Sequence, residues 1–159
     1  MILYHGSNIE VRQPRLLPFQ RALDFGSGFY TTSDLEQAIW WANKTMNRRE
    51  TGKPTVSIYQ VEQDGFTNLN MLRFDGPNAE WLRFVTSCRK KSIESCSWDV
   101  IYGPVADDKT SETIDLYLSG LYDEKYAIQR LQPQKLKNQY VFKTERAIHI
   151  LHFLESKAV

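Results

Sequence analysis

The chain has 159 residues, a length that suits one folded domain, and we predict a single domain over residues 1–159. Hydrophobic residues make up 42% and charged residues 25% of the chain, which excludes a disordered or fibrous protein. The 20 basic residues against 19 acidic ones argue against a protein that holds duplex nucleic acid mainly by charge. The aromatic share of 13% stands out, because aromatic rings either fill a core or stack on planar ligands.

Helical and strand patterns alternate along the chain, and together they predict an α+β fold. The predicted strands are 2–5, a short strand that follows a glycine-rich turn and ends at 32, then 55–61, 99–103 and 139–142. Five helices are predicted where a capping residue precedes apolar residues at helical spacing. Their caps are Ser33, Asn78, Ser111, Asp123 and Thr144.

Two of these helices depend on specific local patterns. Ser33 and Glu36 form a candidate capping box at the start of the first helix. The last helix, which begins after Thr144, is predicted to carry one apolar stripe made of Ala147, Ile148, Leu151 and Leu154.

The N-terminal residues and the cysteines indicate the compartment. Residues 1–6 lack the basic segment and the long apolar stretch of a signal peptide, and no apolar run is long enough to span a membrane. We therefore predict a cytoplasmic protein with no membrane contact. Cys88 is expected to be a buried free thiol on an apolar helix face, although one disulfide with Cys96 is chemically allowed.

Several polar groups were weighed as sites from their chemistry. His149 and His152 are three apart on the last predicted helix, but no third ligand is evident, so no metal is expected. Asp107 and Asp108 suit either acid–base chemistry and Mg²⁺ binding or a turn that caps a helix. The segment 26–28 lacks the lysine of a Walker loop and indicates a tight turn.

Residues on three predicted strands form a more specific set. His5 and Gly6 end the first strand, Tyr30 lies in a glycine-flanked strand, and Gln139 begins a late strand. The backbone of a glycine beside His5 is open to a ligand amide, and a tyrosine ring can stack on a planar heterocycle. Together they indicate a nucleotide pocket, with a purely structural role for His5 as the alternative.

These residues resemble the motifs of the ADP-ribosyltransferase superfamily, on its PARP-like or diphtheria-toxin-like side. That side carries a His-Tyr-Glu signature on three separate strands. Leu3-Tyr4-His5-Gly6-Ser7 resembles the first motif, Gly28-Phe29-Tyr30-Thr31-Thr32 the second, and Asn138-Gln139-Tyr140-Val141-Phe142 the third, with Gln139 in place of the glutamate. Segments 24–30, 99–108 and 139–145 also resemble an uncharacterised bacterial family of small stand-alone domains in that superfamily.

The resemblance implies two small antiparallel sheets packed together, with flanking helices and a cleft that holds NAD as a substrate. It implies that His5 bonds the adenosine ribose, that Gly6 bonds the nicotinamide amide through its backbone, and that Tyr30 stacks on nicotinamide. Further residues expected along the cleft are Ser7, Asp24 and Gly26. Arg12 or Arg15 is a candidate for the pyrophosphate, with a solvated loop arginine as the equal alternative.

Gln139 departs from the signature, because it has no charge and is not a useful base. Another carboxylate is then needed: Glu145 would share its strand face if the strand persisted, and Asp107 or Asp108 would be further candidates. Otherwise the acceptor needs little activation, or the protein only binds NAD. An ordinary solvent-facing side chain at a strand edge is the structural alternative for Gln139.

The expected activity is mono-ADP-ribosylation of an unknown protein or nucleic acid, because chain elongation would need the missing glutamate. The resemblance further implies a bacterial toxin or defence factor with a small neutralising partner. Three alternatives stay open: a silent NAD or ADP-ribose binding module, an RNA 2′-phosphotransferase, and an interaction protein. The last would use Trp40, Trp41 or Trp98.

Overall fold

The computed structural model describes residues 1–17, 23–90, 97–106, 108–134 and 136–159. The described elements are β1 (Ile2–Ser7), β2 (Phe29–Thr31), α1 (Leu35–Arg49), β3 (Thr55–Gln60), β4 (Met71–Arg73), α2 (Ala79–Arg89), β5 (Val100–Pro104), α3 (Asp108–Leu118), α4 (Glu124–Leu131), β6 (Asn138–Phe142), α5 (Glu145–Ile148) and β7 (His152–Ala158). The predicted α+β class is therefore confirmed. None of the described helices combines the length and apolarity needed to cross a membrane.

The described strands form two sheets. The first sheet has the order β1-β3-β7 and is antiparallel throughout. The second has the order β2-β6-β5-β4, and its β4 and β5 are parallel. The expectation of two antiparallel sheets is wrong for that pair. The reason is that α2 carries the chain from the end of β4 back to the start of β5, and such a crossover connects parallel strands.

A single bridge between Tyr4 and Thr32 joins the edges of the two sheets. The Tyr4 amide donates to the Thr32 carbonyl at 2.8 Å, and the Thr32 amide donates to the Tyr4 carbonyl at 3.0 Å. Strands β1 and β2 are therefore paired at one point only and separate beyond it.

Three apolar clusters hold the layers together. The core between the sheets includes Leu3, Phe29, Tyr59, Val100 and Phe142. Helices α2, α3 and α4 cover the outer face of the second sheet, where the core includes Trp81, Ile101, Ile114, Leu131 and Val141. Helix α1 covers the outer face of the first sheet, and there the cluster consists of Ala38, Ala42, Val56 and Ile58.

Gly6 allows α1 to lie directly on β1. A Cβ atom at Gly6 would lie 2.0 Å from the Ala38 carbonyl oxygen and 2.7 Å from the Ala42 amide nitrogen, both of which are helix backbone. No side chain fits at this position. The close contact fixes the position of α1 against the strand that carries His5.

The cap of α1 differs from the prediction. Asp34 caps the helix, and its carboxylate accepts from the Gln37 amide at 2.8 Å, so the proposed box of Ser33 and Glu36 is wrong. A carboxylate at a helix start is also favoured by the helix dipole. Lys137, 2.9 Å from the same carboxylate, holds it in place from a distant part of the chain.

The predicted caps at Asn78, Asp123 and Thr144 are confirmed, because each side chain accepts from the amide three residues on. Ser111 lies inside α3 and does not cap it. Cys88 is buried and forms no disulfide among the described residues, as predicted, whereas Cys96 lies outside those residues.

The predicted final helix is wrong beyond Ile148, because α5 is a single turn and β7 follows it. Strand β7 pairs with the open side of β3, a partner that no local pattern reveals. Leu151 enters the inter-sheet core and the Phe153 ring packs 6.0 Å from that of Tyr59, whereas Leu154, predicted to be on the buried stripe, is exposed.

A buried carboxylate connects the starts of β5 and α5. Asp99 is 3% exposed and accepts from the Asn70 amide at 2.8 Å, from the Thr144 hydroxyl at 2.6 Å and from two nitrogens of Arg146. The Arg146 guanidinium, with these other donors, holds the pKa of the Asp99 carboxyl well below its usual range.

The Asp99 contribution gives a prediction about stability. Since the folded-state pKa is lower than the unfolded value near 3.9, the stabilisation is present above about pH 4 and is lost as pH falls through the folded pKa. We expect Asp99→Asn to lower the free energy of unfolding at pH 7 by about 1–3 kcal/mol and to flatten its decline below pH 4. Urea unfolding at pH 7, 4 and 3 measures both effects.

The control is Asp75→Asn, which breaks the exposed Arg73–Asp75 ion pair and should change stability by less than about 0.5 kcal/mol. Equal effects of the two substitutions would contradict the role assigned to Asp99.

Candidate functional site

The candidate site lies where β1 and β2 separate. Beyond the Tyr4–Thr32 bridge, a continued antiparallel ladder would pair Gly6 with Tyr30. Instead, Nδ1 of His5 lies 2.7 Å from the Tyr30 carbonyl oxygen. Because a carbonyl only accepts, Nδ1 carries the hydrogen. The imidazole thus supplies the donor that the Gly6 amide would have supplied, and the strands separate at this point.

The backbone of Gly6, a buried residue, is directed to the side of β1 on which β2 separates from it, here called the opening. In an antiparallel strand, alternate residues direct their N–H and C=O groups to the same side. Tyr4 directs both groups to Thr32, so Gly6, two residues on, also directs its groups away from β3. Among the described residues, neither group has a hydrogen-bond partner. One backbone donor and one acceptor are thus presented side by side.

His5 is half-buried, and its ring stacks on Phe29 with the centroids 4.3 Å apart. Burial lowers the pKa of His5 below its usual value, the bond to the Tyr30 carbonyl opposes this effect, and the positive charge of Arg49 adds to it. The imidazole is therefore neutral at pH 7. With hydrogen on Nδ1, its Nε2 is a hydrogen-bond acceptor.

Tyr30 anchors the glycine-rich turn through its hydroxyl. That hydroxyl donates to the Gly26 carbonyl at 2.6 Å and accepts from the Phe25 amide at 3.2 Å. Burial raises the pKa of Tyr30 well above its usual value, and the nearby Asp24 carboxylate raises it further, so the phenol stays protonated. The half-buried ring packs against the core beneath α2, α3 and α4. Stacking of this ring on a ligand stays a prediction.

Asp24 and Gly26 shape the same turn. The Asp24 carboxylate accepts from the Arg89 guanidinium at 2.8 Å and from the Ala106 amide at 2.9 Å, which fixes the turn to the ends of α2 and β5. Gly26 has φ +72°, a backbone conformation that favours glycine. Ser7, at the end of β1, is buried. Contacts of these three residues with a ligand stay predictions.

Gln139 is only 2% exposed, and its Nε2 donates to the Pro104 carbonyl at 3.5 Å. Strand β6 lies between β2 and β5, so the alternative of a solvent-facing side chain at a strand edge is wrong. Val141 lies opposite Tyr30, and Gln139 is two residues from Val141, so the Gln139 and Tyr30 side chains are diagonal neighbours on one sheet face.

The suggested replacement carboxylate is not on that face. Strand β6 ends at Phe142, and Glu145 begins α5 as an exposed residue, where its charge suits the start of a helix. The even-step argument for Glu145 is therefore wrong. Asp107 lies outside the described residues, and of Asp108 the structure gives only its place at the start of α3.

The two histidines considered for a metal do not share a helix. His149 ends α5, whereas His152 begins β7. Within the part of the chain that the structure describes, no three His, Cys, Asp or Glu side chains are grouped as a metal ion would require.

The arginines predicted for the pyrophosphate lie in the loop after β1. Arg12 pairs with Glu10 and covers the Phe153 ring at 5.4 Å, beside β7, and Arg15 is exposed. The structure instead places Arg49 beside Asn8, three residues after His5 in the chain. Its Nη1 donates to the Asn8 Oδ1 at 2.9 Å. Sequence reasoning missed it, because a cation in the last turn of a helix is ordinary and its partner is 41 residues away.

An open groove of about 330 Å³ lies on another face of the molecule. It is lined by apolar residues of α1 and the first sheet, among them Tyr4, Leu35, Ile58 and Leu154. None of the predicted site residues lines this groove.

The chain belongs to the family described as "Protein of unknown function (DUF3990)", whose model matches residues 1–153. No curated protein and no solved structure shows a significant match to the chain.

The site geometry predicts the protonation state of His5. We expect a predominantly neutral imidazole with hydrogen on Nδ1 at pH 7, since burial lowers the pKa of His5 from its usual value. Long-range ¹H–¹⁵N correlation spectra distinguish the tautomers, and His5→Gln assigns the signals. An imidazole with hydrogen on Nε2, or a protonated ring at pH 7, would contradict the geometry described above.

Proposed function

We propose that the protein is an NAD-dependent mono-ADP-ribosyltransferase. It cleaves the nicotinamide–ribose bond of NAD and transfers ADP-ribose to a macromolecule, either a protein or a nucleic acid. The observation that carries the proposal is the separation of β1 and β2, with the unpaired Gly6 backbone beside the neutral His5 imidazole. The ordered motifs around His5, Tyr30 and Gln139, which resemble ADP-ribosyltransferase motifs, support it further.

The Gly6 backbone is complementary to a carboxamide. The amide N–H of nicotinamide donates to the Gly6 carbonyl, and the nicotinamide oxygen accepts from the Gly6 N–H. Two such bonds fix both the position and the orientation of the leaving group. The His5 Nε2 accepts from a ribose hydroxyl, and the Tyr30 ring supplies a stacking surface.

The reaction breaks the C–N bond between ribose and nicotinamide, and nicotinamide leaves as a neutral molecule with the bonding electrons. Positive charge develops on the ribose, much as in glycoside hydrolysis. The acceptor nucleophile then bonds to the ribose carbon and loses its proton to water. Gln139 can hydrogen-bond but cannot offset that charge, and loss of such a contact costs about 10²–10³ in rate. A single transfer to a reactive acceptor suits this site better than chain elongation.

The biological setting belongs to the same proposal. The motif resemblance supports a bacterial toxin or defence factor in the cytoplasm, kept in check by a small neutralising protein. Such an enzyme needs NAD as its substrate and requires no metal.

The second candidate function is an NAD or ADP-ribose binding module without activity. Two observations favour it: the buried Gln139 carries no charge, and Glu145 lies outside the strand face. Calorimetry with NAD, followed by measurement of nicotinamide in the same sample, separates the two functions. If NAD binds but no nicotinamide is released, either by the protein alone or after lysate is added, the protein is a binding module.

The leading proposal predicts release of nicotinamide from NAD when the purified protein is mixed with cell lysate, together with the mass gain of one ADP-ribose on a target. We expect His5→Ala to lower this turnover about 10–100-fold, since it removes hydrogen bonds to ligand and strand. Labelled NAD and fractionation of the lysate into protein and nucleic acid identify the acceptor class.

The matched control is His152→Ala, because His152 is exposed at the start of β7. It should keep wild-type turnover. If the wild-type protein neither binds nor cleaves NAD, the proposed function is refuted. If His5→Ala has wild-type turnover, the assignment of His5 to the NAD pocket is refuted.

A further inference from the structure

Arg49 is a cation whose position is fixed by a hydrogen bond to Asn8. It lies in the last turn of α1 and donates to the Asn8 Oδ1 at 2.9 Å. Within the described residues it forms no ion pair. A carboxylate lies within 4 Å of five other arginines, namely Arg12, Arg73, Arg83, Arg89 and Arg146. Among the described residues Arg15 and Arg130 also form no ion pair, but of these three only Arg49 bonds to Asn8, beside the end of β1.

Asn8 is fixed so that its oxygen is directed to Arg49. The buried amide donates from Nδ2 to the Thr51 carbonyl at 2.9 Å, and the Asn8 backbone carbonyl accepts from the Lys53 amide at 2.9 Å. Gly52, with φ +76°, lies so close that a Cβ would be 2.1 Å from the Asn8 carbonyl oxygen. The loop after α1 therefore clamps Asn8, and Asn8 sets the position of the guanidinium.

This cation lies beside the candidate site. Asn8 directly follows β1 and is two residues from Gly6, whose backbone faces the opening. The charge of Arg49 acts on the ring of His5, where it contributes to the lowered pKa. The end of β1 therefore combines a backbone that suits an amide, a neutral hydrogen-bond acceptor and a guanidinium with no ion pair among the described residues.

These groups suit NAD, because its pyrophosphate carries two negative charges and is separated from nicotinamide by one ribose. A cation one ribose away from an amide-binding backbone matches this arrangement. A guanidinium has five N–H donors in a planar fork, of which Asn8 uses one, and the fork suits phosphate oxygens. We infer that Arg49 binds the pyrophosphate of NAD and that Asn8 is the residue that positions it. This inference rests on the proposed function and replaces Arg12 and Arg15 in that role.

A purely structural role for Arg49 is the competing explanation, since a cation in the last turn of a helix interacts favourably with the helix dipole. Arg48 lies in the same turn and shares that role. Arg48→Gln therefore removes the same charge at the same helix end and is the matched control.

The test is calorimetry on the full chain with two probes: ADP-ribose, which carries the pyrophosphate, and nicotinamide, which does not. We expect Arg49→Gln to weaken ADP-ribose binding about 10–100-fold and to leave nicotinamide binding within about twofold. Arg48→Gln should leave both within about twofold, and Arg49→Lys should recover part of the loss, because lysine keeps the charge without the fork. Thermal unfolding of each variant checks that it is folded.

The possible outcomes separate the two proposals. If the wild-type protein binds ADP-ribose and Arg49→Gln binds it equally well, the role of Arg49 is refuted and the proposed function stands. Equal losses in Arg48→Gln, or an equal loss of nicotinamide binding, would also refute it in favour of a structural role. If the wild-type protein binds none of NAD, ADP-ribose and nicotinamide, the proposed function is refuted, and the role of Arg49 with it.

Discussion

The hydrogen bond from His5 Nδ1 to the Tyr30 carbonyl determines how the two sheets meet. Had the Gly6 amide reached that carbonyl, β1 and β2 would have continued as one ladder and left no opening between them. The His5 side chain extends further from the backbone of β1 than an amide N–H does. It can therefore donate to the Tyr30 carbonyl while the strands are apart, and this carbonyl oxygen keeps a hydrogen-bond partner. The same bond fixes the imidazole tautomer. Sheet architecture and the chemistry of the ring therefore depend on a single contact.

Gly6 is constrained from two sides at this point. Its outer face must be bare for α1 to approach, since a Cβ would overlap the Ala38 carbonyl. Its backbone groups face the opening because Tyr4, two residues before, is bonded to Thr32. The glycine thus permits the close packing of α1, and α1 in turn brings Arg49 to the end of β1. The packing of α1 on β1 therefore also determines where the positive charge of Arg49 lies.

The parts of the fold that were predictable from sequence depend on neighbours in the chain. The Asn78, Asp123 and Thr144 caps each act within three residues, and the starts of their helices are correctly predicted. Strand β7 was mistaken for a helix because its partner, β3, is about a hundred residues earlier, and pairing with an open sheet edge overrides helical spacing. The residues of the candidate site also differ in how well the sequence predicts them. The proximity of His5 and Tyr30 followed from recognised motifs, whereas the Arg49–Asn8 contact joins residues 41 apart and has no local signature.

The polar groups beside the opening differ in charge from those that hold the scaffold together. Two largely buried carboxylates are paired with arginines of the scaffold: Arg89 holds Asp24, and Arg146 holds Asp99. The described polar groups that remain beside the opening are a neutral imidazole, a backbone amide pair and a guanidinium, with an uncharged glutamine on the neighbouring sheet. Such a set is complementary to the anionic nucleotide of the proposed function but offers little to remove a proton from an acceptor. If the protein transfers ADP-ribose, the acceptor must therefore be a group that attacks without a strong base, such as a ring nitrogen of a nucleobase or a thiolate.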